Sequence, residues 1–151
     1  MNITQVLEEG ALNILKGKIA SADGGGGGLS DKTVQTLKEG LNLKNAIQLL
    51  ASNKGDFAGY AAGHEDEIYK GLLSLKELFV DPKQQGKGIG TKLLAQVIEK
   101  AKEAGLEGLV AKAAPDNIPA QNLYEKLGLK KVDGKELMKE ITYKLLFGEN
   151  K

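Results

Sequence analysis

Residues 75–94 constrain the fold of this chain more than any other segment. They combine an apolar run that predicts a β-strand, a turn that contains Gly86, Gly88 and Gly90, and the start of an amphipathic helix. Glycines let consecutive backbone N–H groups converge without interference from Cβ atoms, and the following helix adds its positive dipole end. The segment therefore predicts a phosphate or pyrophosphate site at a strand-to-helix junction.

Two common nucleotide-binding motifs do not match this turn. A dinucleotide fingerprint that begins at Gly86 requires a third glycine where Thr91 stands, and an acidic residue about 20 positions further on, where Val110 stands. A P-loop requires serine or threonine directly after its Gly-Lys pair, but here glycine follows Lys87. What remains is a Gln-x-x-Gly-x-Gly pattern over residues 85–90.

A second motif lies downstream, where residues 117–129 read NIPAQNLYEKLGL. Together the two motifs resemble the GNAT superfamily of acetyl-coenzyme A-dependent N-acetyltransferases, and their order, spacing and flanking elements resemble that family over residues 70–146. The resemblance implies a mixed α/β (α+β) fold, with a mostly antiparallel central sheet, a splay between two strands and about four flanking helices. We expect one such domain over residues 1–151, with a glycine-rich loop at residues 23–29.

Hydrophobic spacing gives a coarse topology for the chain. Apolar positions in residues 3–19 recur at helical intervals and predict one helix or two short ones, with no clear opening strand. A further helix is expected to end near Gly40, followed by an antiparallel meander over residues 46–80 with a hairpin tip at residues 64–66. Two helices alternate with three strands in residues 89–146.

The family resemblance assigns cofactor-binding roles on both sides of the glycine turn. In this family the strand before the turn pairs through its backbone with the pantetheine arm of acetyl-coenzyme A, and the turn amides hold the pyrophosphate. The residues matched to these roles are Leu78, Phe79, Val80, Gln85, Gly86, Lys87, Gly88, Ile89, Gly90, Thr91, Asn117 and Tyr124. Lys87 is equally consistent with a solvated surface lysine, and Asn117 is also expected to cap the short helix.

The same resemblance makes Tyr124 the predicted general acid. When an amine attacks the thioester, a thiolate leaves, and a phenol within hydrogen-bond reach of the sulfur can protonate it. Helical spacing with Leu123 and Leu127 would by itself indicate an aromatic core residue. The resemblance favours the catalytic interpretation.

Glu77 is the candidate general base, because an amine that is protonated near neutral pH must lose a proton before it attacks. Strand alternation predicts one face made of Leu73, Leu75, Glu77 and Phe79. A carboxylate in that apolar row would have a pKa raised by desolvation, although one that only binds substrate or water fits the same pattern. Lys112 stands where ribosomal-protein N-acetyltransferases carry a glutamate base, which argues against that subfamily.

Charge and composition limit the other classes of function. His64 is followed by three acidic residues, which either attract a cationic acceptor such as a polyamine, an aminoglycoside or a lysine side chain, or form a solvated turn. The net charge of +1 gives no indication of a nucleic-acid or membrane partner. With no cysteine and one histidine, we expect no metal site. The N-terminus resembles no signal peptide and no segment reaches membrane-spanning length, so the cytoplasm is the expected location.

The sequence thus predicts an N-acetyltransferase that moves the acetyl group of acetyl-coenzyme A to a primary amine of a small molecule or protein. Direct attack in a ternary complex is expected, because the chain has no cysteine nucleophile. The alternative is a non-catalytic acyl-coenzyme A-binding or regulatory module on the same fold. The acceptor, the choice between monomer and homodimer, and the origin of a composition that lacks arginine stay open.

Overall fold

The computed structural model describes residues 1–8, 31–132 and 140–148. Seven strands form one sheet in the order β1-β2-β3-β4-β5-β7-β6. The strands are β1 (Asn2–Gln5), β2 (Ile47–Asn53), β3 (Asp56–Glu65), β4 (Leu72–Val80), β5 (Gly108–Ala113), β6 (Lys130–Lys131) and β7 (Ile141–Leu146). The helices are α1 (Asp31–Gly40), α2 (Ile89–Glu103) and α3 (Ile118–Lys126).

This arrangement confirms the predicted mixed α/β architecture. Neighbouring strands pair antiparallel except for β4 and β5, which run parallel. The described residues form three α-helices rather than about four. None of these three helices has both the length and the apolar character needed to cross a bilayer.

The described chain opens with a strand, so the helix expected from Ile3 onward is wrong at its start. Residues 2–5 pair antiparallel with β2, and their exposure alternates as it does in a strand with one covered face. Ile3 packs against the main core. Four residues are too few for period-2 spacing to outweigh the helical spacing that follows them. The rest of that predicted helix and the glycine-rich loop at residues 23–29 lie outside the described residues.

Two apolar clusters cover opposite faces of the sheet. The larger one packs α2 against strands β2 to β5, with Leu93, Leu94 and Val97 fully buried. The smaller one packs Val34 and Leu37 of α1 against the other face, where aromatic side chains of β3 and β4 stack. The helix α1 therefore covers one side of the β3–β4 pair, and α2 covers the other.

A β-bulge in β4 changes which side chains share a face. Ala62 pairs with Glu77 but the next residue of β3 pairs with Leu75, so Lys76 is an extra residue in β4. Leu75 packs in the α2 cluster, whereas Phe79 packs in the α1 cluster. The predicted face shared by Leu73, Leu75, Glu77 and Phe79 is therefore wrong. Period-2 alternation does not continue across a bulge, and the bulge turns Glu77 towards α1.

The hairpin between β3 and β4 also lies further along the chain than expected. His64 pairs with Ser74 inside the ladder, and the tip consists of residues 66–71. The Asn45 amide donates to the Glu65 carboxylate at 2.8 Å and holds the pKa of that carboxyl below its usual range. Asp66 accepts from two backbone N–H groups of the tip. The acidic cluster is therefore divided between the end of a strand and a turn.

Candidate active site

The glycine turn before α2 has the geometry of an anion site. Gly86 and Gly88 have φ values of +83° and +76°, in the left-handed region that favours glycine. Apart from the adjoining residues of the chain, no heavy atom lies within 4 Å of a Cβ built on either residue, so the space beside the turn is open. Gly88 is the N-cap of α2 and supplies no capping side chain, and the first turn holds no acidic residue. No side-chain cap therefore occupies the first N–H groups of α2, an arrangement suited to an anion.

Polar contacts that the sequence reasoning missed hold this turn in place. Asp81 is buried, and its carboxylate accepts from the backbone N–H of Lys83 at 2.9 Å. Gln84 Oε1 accepts from Asn53 Nδ2 and from Lys87 Nζ, each at 3.2 Å. The Asp-Pro pair that opens the short 3₁₀ helix at Pro82–Gln84 was a readable capping signal, whereas the long-range contact of Gln84 left no local signal.

The strands β4 and β5 separate soon after they begin. Their parallel ladder covers three residue pairs and ends at Ser74 and Val110, although β4 continues to Val80. Leu78, Phe79 and Val80 pair with β3 along the opposite edge of β4. The β5-facing edge of these residues therefore has no ladder partner in the described sheet. This is the predicted splay, and it presents free backbone groups to an extended ligand.

A cavity of about 240 Å³ occupies the splay. It is lined by Ser74, Leu75, Lys76, Val110, Ala111, Lys112 and Glu140. Tyr124 lies beside it, because its hydroxyl donates to the Lys112 carbonyl at 3.3 Å. Burial, followed by the negative charge of Glu140, raises the pKa of Tyr124. The phenol therefore keeps its proton near neutral pH, as a general acid must.

The loop and helix that carry Tyr124 are held by amide side chains. Asn117 caps α3 by accepting from the Ala120 N–H at 3.2 Å, as predicted. Buried Gln121 donates to the carbonyls of Ala114 and Pro115. Sequence reasoning missed Gln121, which fixes the loop between β5 and α3 and so sets the position of Tyr124.

Glu77 lies on the other side of β4, in a cavity of about 290 Å³ between α1 and the β3–β4 pair. The lining residues are Thr36, Leu37, Glu39, Gly40, Leu43, Gln48, Ala62, Gly63, His64, Lys76 and Glu77. Partial burial raises the pKa of Glu77, the direction expected for a proton acceptor near neutral pH. Burial and then the charge of Glu77 also raise the pKa of Tyr60, which places this carboxylate near a buried phenol.

Lys76 joins the two cavities. It lines both the splay cavity and the cavity that contains Glu77, because the bulge puts it at the point where β4 leaves β5. Along β4, the glycine turn follows the end of the strand, the unpaired edge and the Tyr124 hydroxyl border the splay, and the Glu77 carboxylate lies on the α1 side. Lys76 is therefore the point at which a long anionic ligand in the splay would come nearest to a small molecule in the Glu77 cavity.

Comparison with known proteins agrees with this geometry. Residues 25–129 match the family model described as Acetyltransferase (GNAT) family. The chain is 31% identical over 93 residues to an L-2,4-diaminobutyric acid acetyltransferase of Virgibacillus pantothenticus, covering 61% of this chain and 57% of that protein. It is 30% identical over 106 residues to an L-methionine sulfoximine/L-methionine sulfone acetyltransferase of Salmonella typhimurium, covering 66% of this chain and 62% of that protein. The chain therefore spans less than two thirds of the length of these relatives.

Solved structures share the fold over almost the whole chain. A ribosomal-protein-alanine N-acetyltransferase from Brucella melitensis superposes with a TM-score of 0.75 at 20% identity, covering 97% of this chain and 99% of that one. A streptothricin acetyltransferase homologue from Bacillus anthracis, solved with acetyl coenzyme A, superposes with a TM-score of 0.63 at 24% identity, covering 74% and 68% of the two chains. At these identities the likeness concerns the fold alone.

Proposed function

The chain belongs to the GNAT acetyltransferase family, and from that premise we propose that it transfers the acetyl group of acetyl-coenzyme A to the primary amine of a small molecule. The observation that carries the proposal is the arrangement of groups along β4. An open glycine turn follows β4, an unpaired strand edge and a protonated Tyr124 border the splay, and Glu77 lies on the α1 side of the strand. A binding module with no catalysis would have no need of the last two groups.

The residues of the chain fit acetyl-coenzyme A as a substrate. The N–H groups from Gly86 to Thr91 would hold its pyrophosphate, with Gln85 and Lys87 at the rim of the turn. The free edge of residues 78–80 would pair with the amides of its pantetheine arm. Asn117 lies at the start of α3, on the same side as Tyr124, and would face that arm. The thioester would then lie in the splay cavity.

The nitrogen of the acceptor ammonium must lose two protons and the departing sulfur must gain one, and Glu77 and Tyr124 would serve these transfers. Glu77 would take one proton from the acceptor ammonium, which leaves a nitrogen lone pair free. That pair forms the new C–N bond to the acetyl carbon while the C–S bond breaks. The departing sulfur takes the proton of the Tyr124 hydroxyl, and the nitrogen passes its second proton to the Tyr124 oxygen as the neutral amide forms. No covalent bond to the protein forms, in keeping with a chain that has no cysteine.

The size of the Glu77 cavity favours a compact acceptor. A space of about 290 Å³ suits a group of amino-acid size. The relatives named above act, by their names, on diaminobutyric acid and on methionine sulfoximine or sulfone. We therefore propose an amino acid or a similarly small primary amine as the acceptor.

A thiol-release assay tests the proposed function. The purified protein is incubated with acetyl-coenzyme A and a panel of small amines that includes L-2,4-diaminobutyric acid, methionine sulfoximine, aliphatic diamines and a lysine peptide. We expect amine-dependent release of free coenzyme A and a product heavier than the amine by one acetyl group. Tight binding of acetyl-coenzyme A with no acetylated product from any amine would favour the non-catalytic alternative instead.

Glu77→Gln gives a prediction about pH. A base works only when deprotonated, so kcat/KM for the amine falls as the pH drops through the pKa of Glu77, and the raised pKa moves this fall above the usual range of a glutamate. In Glu77→Gln we expect kcat to decrease by about 100-fold and the Glu77 component of the acid limb to disappear. Glu67→Gln, at the exposed hairpin tip, is the matched control. A raised KM with an unchanged acid limb would mean that Glu77 only binds substrate.

A further inference from the structure

His64 lies in the acceptor cavity rather than at the hairpin tip. It pairs with Ser74 across the β3–β4 ladder, and its side chain lines the same cavity as Glu77. Ala62 and His64 are two residues apart in β3, and Ala62 pairs directly with Glu77. These side chains therefore share the α1 face of the sheet. The other charged groups in the wall are Glu39 of α1 and Lys76 of β4.

One hydrogen bond fixes which nitrogen of His64 is free. Nδ1 lies 2.9 Å from the backbone carbonyl oxygen of Glu65. A carbonyl only accepts, so Nδ1 carries the hydrogen of the neutral ring, and Nε2 carries the lone pair. Nε2 is then the ring atom left to contact a ligand in the cavity, and it is a hydrogen-bond acceptor.

We propose that His64 is an acceptor-binding residue of this site, in which Nε2 accepts a hydrogen bond from the reacting amine beside Glu77. This inference rests on the proposed function. A primary ammonium has three N–H groups. Glu77 takes the proton of one, and His64 accepts from a second without removing its proton. With two acceptors holding the nitrogen on the α1 side of β4, its new lone pair is directed across Lys76 towards the splay.

Two substitutions separate this role from a structural one. His64→Asn keeps an amide N–H that can reach the Glu65 carbonyl, as Nδ1 does, but places no acceptor at the position of Nε2. His64→Gln is longer and can place an amide oxygen close to that position. For Asn we expect kcat/KM for the amine to fall by about 10- to 100-fold, the range for a hydrogen bond to a charged group. For Gln we expect most of this loss to be recovered.

Several readouts decide whether the loss arises at the acceptor. The KM for acetyl-coenzyme A and the unfolding temperature should match the wild type in both variants, because His64 does not line the splay cavity. Three results would overturn the proposal. They are a higher activity in His64→Asn than in His64→Gln, a wild-type kcat/KM in His64→Asn, and a loss confined to the KM for acetyl-coenzyme A. A purely structural role predicts the first of these results.

The sequence contains one histidine, so its ring gives a single Hε1 signal in a proton NMR spectrum. We expect this signal to shift in a saturable way when the amine that the wild type acetylates fastest is added with coenzyme A. An unchanged signal at saturating amine would overturn the contact. If the wild type acetylates no amine, the proposed function fails. The same titration with L-2,4-diaminobutyric acid then still shows whether His64 contacts a bound amine.

Discussion

Tyr124→Phe should lower kcat for acetyl transfer by about 100-fold or more while the affinity for acetyl-coenzyme A changes less than about threefold. The substitution removes one oxygen and keeps the ring, which packs edge-on against Tyr143 with centroids 5.4 Å apart. The loss should therefore come from the missing proton donor and not from altered packing. Initial rates at saturating substrates, combined with isothermal titration of acetyl-coenzyme A, measure the two quantities separately.

The surroundings of Tyr124 explain why its hydroxyl is suited to a thiolate leaving group. Burial and the charge of Glu140 raise the pKa of the phenol, so it stays protonated up to the alkaline end of the assay range. The hydroxyl lies beside a splay cavity lined largely by polar and charged residues, among them Lys76, Lys112 and Glu140. It is therefore present as a proton donor when the C–S bond breaks.

A second tyrosine gives the matched control for this experiment. Tyr69 is partly exposed at the β3–β4 tip, away from both cavities, with Lys144 over its ring. Tyr69→Phe should leave kcat and the affinity for acetyl-coenzyme A unchanged. If Tyr124→Phe also keeps the wild-type kcat, Tyr124 is a core residue and the non-catalytic module becomes the better description of the chain.

The parts of this site that could be predicted from sequence are those built by neighbouring residues. The glycine turn needs positive φ at Gly86 and Gly88 and a helix directly after them. One short continuous segment of the sequence meets both requirements. The motif around Tyr124 is also local, with Asn117 as its cap and Gly128 at its end. Such features depend little on the rest of the fold.

The parts that could not be predicted depend on pairing between strands. The bulge at Lys76 is a property of the β3–β4 register, and the sequence of β4 alone does not predict it. Because of it, Glu77 faces α1 and shares a cavity with His64, although alternation placed it in the row of Leu73 and Leu75. The raised pKa expected for Glu77 agrees with the structure, the face assigned to it was wrong, and its role as a base stays a prediction.

Gly88→Asp should reduce the affinity for acetyl-coenzyme A by at least about 100-fold without unfolding the protein. An aspartate at this N-cap would accept hydrogen bonds from the first N–H groups of α2, which are the groups that the pyrophosphate needs. It would also add a negative charge a few ångströms from a diphosphate, which costs about 1 kcal/mol per charge pair in water and about 4 kcal/mol near a protein surface. Isothermal titration of acetyl-coenzyme A measures the loss.

Stability should change little, because two effects of this aspartate oppose each other. Its side chain strains a backbone with φ of +76°, while its carboxylate caps α2 and complements the helix dipole. Gly105→Asp is the control at the other end of the same helix, with φ of +82° and open space around the added Cβ. It adds the same charge and a similar backbone strain but lies far from the turn, so its affinity should equal that of the wild type. If Gly88→Asp and Gly105→Asp bind acetyl-coenzyme A alike, the pyrophosphate does not lie at the N-terminus of α2. A third variant, Gly88→Asn, separates the two causes of the loss. If it retains much more affinity than Gly88→Asp, charge repulsion outweighs the loss of N–H groups there.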